Sequence, residues 1–225
     1  MSTATDIADT HDGPPTTDEP VDDGVVLAWW HNPVNLIALA LAIGLLAAAG
    51  GFVIGNNRAL PDPTATDVGF LQDMRLHHEQ AVQIGLIFLD LDDTDPALQT
   101  TAREIIVGQN IEIGRMIQLL RSFGESEVNE TDLAMGWMSE PVPQDRMPGL
   151  ATEADLRALR AARGAESDEI FVRLMTAHHE GGIHMADHAA QYAATSEVTL
   201  MARQMADGQR EEIIEMGQLL TASRT

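Results

Sequence analysis

The chain has 225 residues and a formal net charge of -22, and all 13 of its basic residues are arginine. A nucleic-acid-binding protein neutralises phosphates with clustered lysine and arginine, so this charge balance excludes nucleic acid as a partner. The absence of cysteine excludes disulfides, thiolate metal sites and cysteine nucleophiles. Any soft metal would have to be held by histidine or methionine.

The N-terminal part predicts a tail and a membrane span. Residues 1–24 are rich in Asp, Thr and Pro and lack lysine and arginine, so they cannot bury enough apolar surface to fold. From Leu36 to Ile54 no side chain is charged or polar, and as a helix this run crosses the ~30 Å hydrocarbon layer of a membrane. We therefore predict a disordered acidic tail over residues 1–30 and one transmembrane helix over residues 31–57.

A cleaved signal peptide is the competing interpretation of the apolar run, because Ala47, Ala48 and Ala49 are small enough for a signal peptidase. The lack of a basic segment before the run favours the membrane span. Arg58 follows the run directly, and the positive-inside rule would place the rest of the chain inside the cell. A large folded domain crosses largely regardless of one such charge, so the orientation stays open at this point.

Four long helical patterns follow the span, and no segment alternates as a strand does. Residues 66–124 predict a first helix pair, whose first helix runs from about Asp67 to Leu91 with Thr66 as its cap. Residues 125–165 form a crossover that carries a short helix, and residues 166–223 predict a second helix pair. The expected fold is all-α, with one N-terminal transmembrane helix and then a four-helix bundle. Its long crossover is of the kind found in ferritin-like bundles.

The two predicted pairs share their motifs, which indicates a duplicated helical module. The segment Met74-x-x-His77-His78-Glu79 returns as Met175-x-x-His178-His179-Glu180. In the same way Gln109-x-x-Glu112-x-x-x-Met116 returns as Gln209-x-x-Glu212-x-x-x-Met216.

Helical periodicity turns the polar residues of these motifs inward. At about 100° per residue, both histidines of each motif lie within roughly 60° of the motif's methionine, whereas Glu79 points to solvent. Glu112 and Glu212 occupy positions on the apolar faces of their helices, where leucine would be expected. A buried polar group without a partner costs about 1–3 kcal/mol, so something must satisfy these side chains.

Two explanations remain open. The first is a hydrogen-bonded layer in which glutamates meet imidazoles and fix the register of the two halves. The second is a metal site of imidazole nitrogen and thioether sulfur, which favours copper, and Cu(I) in particular, over zinc. The candidate ligands and supporting residues are Met74, His77, His78, Glu112, Met116, Met175, His178, His179, Glu212 and Met216, with Met205 as a further inward methionine. Each methionine alone is also an ordinary core residue.

A second histidine set occupies another face of the third long helix. Glu180, His184 and His188 follow a spacing of four residues, and helical neighbours at that spacing can chelate one ion. A solvated polar face is the competing explanation. Other chemistries find no support, because the chain has no Glu-x-x-His motif of a di-iron bundle, no phosphate-binding loop and no nucleophile elbow.

The motifs resemble one known family. The strings Phe70 to Ala81, Gly108 to Ile113, Met135-Gly136-Trp137, Met147-Pro148-Gly149 and His178 to Gly182 are similar to the family called domain of unknown function 305, over about residues 65–222. That resemblance implies a ferritin-like helical bundle, secreted or membrane-anchored in bacteria, with members linked to copper through His and Met. The first half has Gln80-Ala81 where a Gly-rich continuation is common, which weakens the expected metal binding there.

The sequence therefore predicts a copper-binding bundle, anchored in the cytoplasmic membrane by one span and lying on the extracytoplasmic side, where the resemblance places it. We expect it to store or buffer the ion rather than to turn over a substrate. An alternative is a metal-free interaction module that docks a partner membrane protein. An oxidoreductase that uses a core metal has the least support.

Overall fold

The computed structural model describes residues 28–56 and 62–223. Of the predicted acidic tail, only residues 28–30 are among the described residues. Arg58 also lies outside the described residues. Contacts divide the chain into two units, residues 1–58 and residues 59–225.

The first unit contains helix α1, Pro33–Asn56, preceded by a 3-10 turn at Trp29–His31. Within α1 the segment Pro33–Val53 has a mean hydropathy of 2.5 and none of it is buried against protein. It is long and apolar enough to cross a membrane. Large side chains such as Leu45 and Leu46 are more than two-thirds exposed, as expected of a surface that lipid covers.

The second unit contains the other five helices: α2 Ala65–Leu89, α3 Pro96–Phe123, α4 Glu153–Ala161, α5 Ala165–Tyr192 and α6 Ser196–Ala222. The all-α prediction is confirmed. Helix α2 pairs with α3, α5 pairs with α6, and α2 contacts α5 across the middle. The start of α2 packs in the same cluster as the end of α5, so these two helices run antiparallel.

The helix ends follow local side-chain chemistry. Asp95 caps α3 through bonds from the backbone N–H groups of Ala97 and Leu98, with Pro96 at the first helical position. The predicted Thr66 cap of α2 is wrong. Thr64 is the cap, because it forms a capping box with Asp67, whose Oδ2 accepts from the Thr64 backbone N–H at 2.9 Å.

The crossover between α3 and α5 contains more than the predicted short helix. Strands β1, Leu133–Ala134, and β2, Val142–Pro143, pair antiparallel. Two 3-10 turns, Gly136–Met138 and Gln144–Arg146, follow β1 and β2 respectively. Strands of two residues are too short to produce an alternating pattern, which is why the sequence did not predict them.

Two buried aspartates join the halves at the ends of the bundle. Asp67 of α2 accepts hydrogen bonds from the backbone N–H and the hydroxyl of Thr195, the cap residue of α6, at 2.9 and 2.7 Å. Asp168 of α5 accepts from the backbone N–H of Asp95, the cap residue of α3, at 3.0 Å. Each aspartate thus fixes the start of a helix that belongs to the other pair.

Candidate metal site

Four imidazoles form a layer across the middle of the bundle. Helix α2 supplies His77 and His78, α5 supplies His178 and His179, and all four are fully buried. Successive helical residues point about 100° apart, so the two histidines of each motif cannot make the same contact. The first histidine of each motif points to the interface between α2 and α5. The second points to the helix that pairs with its own helix, which is α3 for His78 and α6 for His179.

His77 and His178 meet at the interface between the halves. Their ring centroids are 3.8 Å apart with the planes inclined by 33°. The Nε2 atom of His77 lies 3.1 Å from the carbonyl oxygen of Pro148, and that of His178 lies 2.9 Å from the carbonyl oxygen of His77. A carbonyl oxygen only accepts, so Nε2 carries the proton in both rings.

His78 and His179 meet the carboxylates that helical periodicity indicated. His78 Nε2 lies 2.8 Å from Glu112 Oε2, and His179 Nε2 lies 2.6 Å from Glu212 Oε2. The two glutamate side chains are 25% and 32% exposed. Each pair therefore connects solvent at the bundle surface with an imidazole in the core. Glu79 and Glu180 are exposed, and Glu79 pairs with Arg75 on its own helix.

Burial keeps the two interface histidines neutral. Desolvation is the main reason that the pKa of His77 falls from 6.5 to about 3, and repulsion by His78 adds to it while the Pro148 carbonyl opposes it. Desolvation also places the pKa of His178 well below its usual value, with His77 as the next contributor. In a neutral ring with a proton on Nε2, the Nδ1 atom holds a free lone pair.

All four Nδ1 atoms are buried, and among the described residues none has a hydrogen-bond partner. A buried polar atom without a partner costs about 1–3 kcal/mol, so four in one layer need an explanation. Histidines that bind a metal through one ring nitrogen commonly donate from the other to a carboxylate or a backbone carbonyl. Both kinds of acceptor hold the Nε2 atoms here, so Nδ1 is the nitrogen of each ring that is left for a cation.

The predicted methionines are all buried, but the structure does not bring them together. Met74 and Met116 lie in one core cluster, and Met175 and Met216 lie in another. The first cluster also contains six further methionines, Met135, Met138, Met147, Met185, Met201 and Met205. Thioether sulfur is therefore concentrated at one end of the bundle. Periodicity could not show this, because three of these residues come from the irregular crossover.

The second histidine set lies outside this layer. His184 is exposed and its Nε2 lies 3.0 Å from Glu140 of the crossover. His188 packs against Trp137 and Tyr192, with ring centroids 5.5 and 4.5 Å away. Within the described parts of the chain, no three His, Asp or Glu side chains are arranged to hold a metal ion.

The glycines after His179 allow close packing, Gly181 against the crossover and Gly182 against α6. A Cβ atom at Gly181 would overlap the Pro148 carbonyl, and one at Gly182 would overlap the Gln209 side chain. In the first half Gln80 stands where Gly181 stands in the second, and it holds Ala151 by two hydrogen bonds of 2.6 and 2.9 Å. Gly181 thus lets the crossover approach α5 at Pro148, whereas Gln80 binds the crossover to α2 at Ala151. These different contacts explain why the two halves carry different residues at this position.

Sequence reasoning missed Asp73, which attaches the first part of the crossover to α2. Its buried carboxylate accepts from Met135 N at 2.7 Å, from Trp137 Nε1 at 2.8 Å and from Asn129 Nδ2 at 2.9 Å. The signal for it was weak, because one aspartate beside an apolar stripe is common in helices.

The chain is similar to proteins of one family. The sequence profile described as "Domain of unknown function (DUF305)" matches residues 67–220, while no curated protein matches the chain. A crystal structure of a putative secreted DUF305 protein from Streptomyces coelicolor is 34% identical and superposes with a TM-score of 0.64, over 70% of this chain and 93% of that one. A DUF305 fragment from Deinococcus radiodurans is 28% identical with a TM-score of 0.62, over 72% and 99% of the two chains. CopM in its Cu(I)-bound form is 26% identical with a TM-score of 0.53, over 72% of this chain and all of that one. With its profile match over more than half its length, the chain belongs to the DUF305 family.

Proposed function

We propose that this protein is a membrane-anchored, extracytoplasmic bundle that binds a metal ion, copper in preference to others, through inward histidine and methionine side chains. The observation that carries the proposal is the layer of four buried imidazoles. Every Nε2 in it is occupied by a carbonyl or a carboxylate, and every Nδ1 lacks a partner among the described residues. A layer that served only as a hydrogen-bonded network would be expected to pair its Nδ1 atoms as well.

The nature of the donors supports copper. Imidazole suits several transition metals, but thioether sulfur selects soft ions such as Cu(I), and the core contains ten buried methionines. A similar protein of the same fold, CopM, has been solved in a Cu(I)-bound form. The imidazoles would hold the ion and the glutamates would orient His78 and His179. The ion itself would be cargo, with no reaction required of the bundle.

The test is a titration of the full chain in nonionic detergent with Cu(I), in competition with a chromophoric chelator. A His178→Asn, His179→Asn variant removes two rings of the layer and should lose most of the affinity. The matched control, His184→Asn, His188→Asn, removes two histidines of the same helix outside the layer and should bind as the original protein does. Glu112→Gln, Glu212→Gln should weaken binding by about 10–100-fold, because both carboxylates orient ligand rings.

The proposal is wrong if the unaltered protein binds Cu(I) no more tightly than the His178→Asn, His179→Asn variant. Equal losses in the core and control pairs would instead locate the ion on the crossover side of α5.

The anchoring and orientation are a second part of the proposal, supported by the apolar helix Pro33–Val53 and by the putative secreted protein among the similar structures. The chain has no cysteine, so a Glu215→Cys variant carries one thiol at an exposed position of α6. A membrane-impermeant maleimide should label it in intact cells, and the labelled protein should stay in the membrane fraction. Labelling only after lysis would place the bundle inside, and a soluble, shortened product would indicate a cleaved signal peptide.

The alternative function, a module that docks a membrane protein, has one observation in its favour. A groove of about 440 Å³ between α3 and α6 is lined partly by Ile111 and Leu200, which are 60% and 55% exposed. A metal that binds only the folded state raises the free energy of unfolding, by about 2.7 kcal/mol at a hundredfold excess over the dissociation constant. A melting temperature that does not change with Cu(I) would favour the docking module.

A further inference from the structure

A small polar cleft opens between α3 and α6, on the solvent side of the imidazole layer. Its volume is about 60 Å³, and Gln109, Glu112, Gln209 and Glu212 line it in two matching pairs. Helices α3 and α6 contact each other far less than either contacts its own partner helix. The cleft is therefore the place where the outer helices separate over the layer.

Two buried amides in the cleft have unused polar atoms. Gln109 and Gln209 are each only 3% exposed. Among the described residues, the Oε1 atom of Gln109 and both side-chain polar atoms of Gln209 have no hydrogen-bond partner. Buried amides are normally satisfied, because an unmade hydrogen bond costs free energy. A passing ligand that these oxygens can contact would account for their position.

Two glycines keep the cleft open. Gly108 and Gly208 lie inside long helices, where glycine is less stable than alanine. A Cβ atom added at either would have no neighbouring atom within 4 Å, so packing does not require glycine there. Both line the cleft, so the absence of side chains at these positions leaves its opening wide.

The lining of the cleft carries negative charge and no positive charge. Its polar lining consists of carboxylate and amide groups without a basic residue, together with the buried thioether of Met205. Glu112 and Glu212 are partly exposed, and their Oε2 atoms contact His78 and His179 in the layer. A cation from solvent would meet these oxygen donors first, with the imidazole layer behind them.

We propose that this cleft is the route by which the metal cation reaches the buried layer, with the Gln109 and Gln209 amide oxygens as transient ligands. The inference rests on the proposed function and adds the path to it. It assigns the glycines and glutamines of the cleft an effect on the rate of uptake and little effect on the affinity at equilibrium.

The experiment measures both quantities on the full chain in detergent. Cu(I) held by a chromophoric chelator is mixed with the protein in a stopped-flow instrument, and the equilibrium constant is taken from the end point. The variant Gly108→Leu, Gly208→Leu narrows the cleft. The control Gly114→Leu, Gly217→Leu places the same side chains on α3 and α6 at glycines that also have open space but lie outside the cleft. Leucine favours helix in all four positions, so both variants should fold.

We expect uptake to slow by about tenfold or more in the cleft variant, a barrier change of at least about 1.4 kcal/mol, with the affinity changed by less than about threefold. The control should keep the original rate. Gln109→Leu, Gln209→Leu should also slow uptake, because it removes the amide oxygens without reaching the imidazoles.

Three results would overturn the inference, and they are distinguishable. Unchanged uptake in both cleft variants, with normal affinity, removes the route and leaves the proposed function standing. Uptake at the original rate with faster release would make the glutamines ligands of the bound ion instead. No Cu(I) binding by the unaltered protein overturns the proposed function and the route together.

Discussion

Lowering the pH from 7.5 to 5 should destabilise the metal-free bundle, because the interface histidines cannot take up protons without unfolding. In the unfolded chain an imidazole has a pKa near 6.5, whereas burial lowers that of folded His77 to about 3. Between these values the unfolded state binds one proton more than the folded state. The free energy of unfolding therefore falls as the pH decreases from about 6.5 to about 3, and above 6.5 this contribution is fully present.

The magnitude follows from His77 alone. One pH unit within this window changes the free energy of unfolding by about 1.36 kcal/mol for one proton, so pH 5 should remove about 2 kcal/mol. The pKa of His178 is also lowered by burial, and its contribution has the same sign. Asp67 has a pKa of about 2, so it titrates below this range. The two interface histidines together should thus remove at least about 2 kcal/mol at pH 5, a large part of the stability of a domain.

Urea unfolding followed by circular dichroism at several pH values, with a chelator present, measures this slope. The variant His77→Gln should lower it by about 1.36 kcal/mol per pH unit, and the control His184→Gln, on the exposed face, should leave it unchanged. If the unaltered protein and His77→Gln show the same slope between pH 6.5 and 5, the neutral buried imidazole is not what the folded state contains.

Two further predictions concern packing and buried charge. Gly181→Ala should destabilise the bundle by about 1–3 kcal/mol, because its Cβ would overlap the Pro148 carbonyl. Gly108→Ala has open space around it and should stabilise the bundle by about 0.5–1 kcal/mol. A urea titration that ranks the two variants in the opposite order would contradict this packing. Asp67→Ala should cost about 1–3 kcal/mol, because it leaves the buried Thr195 N–H and hydroxyl without their acceptor, and a calorimetric melting curve unchanged by it would show that the halves are joined elsewhere.

Helical periodicity was sufficient for the contacts within each helix pair. It placed Glu112 and Glu212 on the inward faces of α3 and α6, and the structure puts them on His78 and His179. Such contacts are predictable because neighbouring antiparallel helices must bury their apolar faces against each other. The rotation of each helix then fixes which side chains meet.

Contacts between the halves could not be predicted in this way. The stacking of His77 on His178 depends on how closely α2 and α5 approach, and that distance is set by the packing of the whole bundle. The acceptor for His77 is the Pro148 carbonyl, a backbone atom of the crossover, and no side-chain pattern reports such atoms. The cap of α2, by contrast, could have been predicted from the sequence. Thr64 and Asp67 have the spacing of a capping box.

The two halves depend on each other at both the ends and the centre of the bundle. Asp67 and Asp168 each hold the start of a helix from the opposite pair, and the ring of His178 donates to the backbone of His77. A duplicated module that kept a complete site in each half would need none of these bonds. Because the interface rings belong to different halves and the glutamate-bound rings lie beside them, the layer exists only when both pairs are assembled. Binding a cation at Nδ1 would therefore be coupled to the association of the halves, and such coupling stabilises the assembled bundle by the binding free energy.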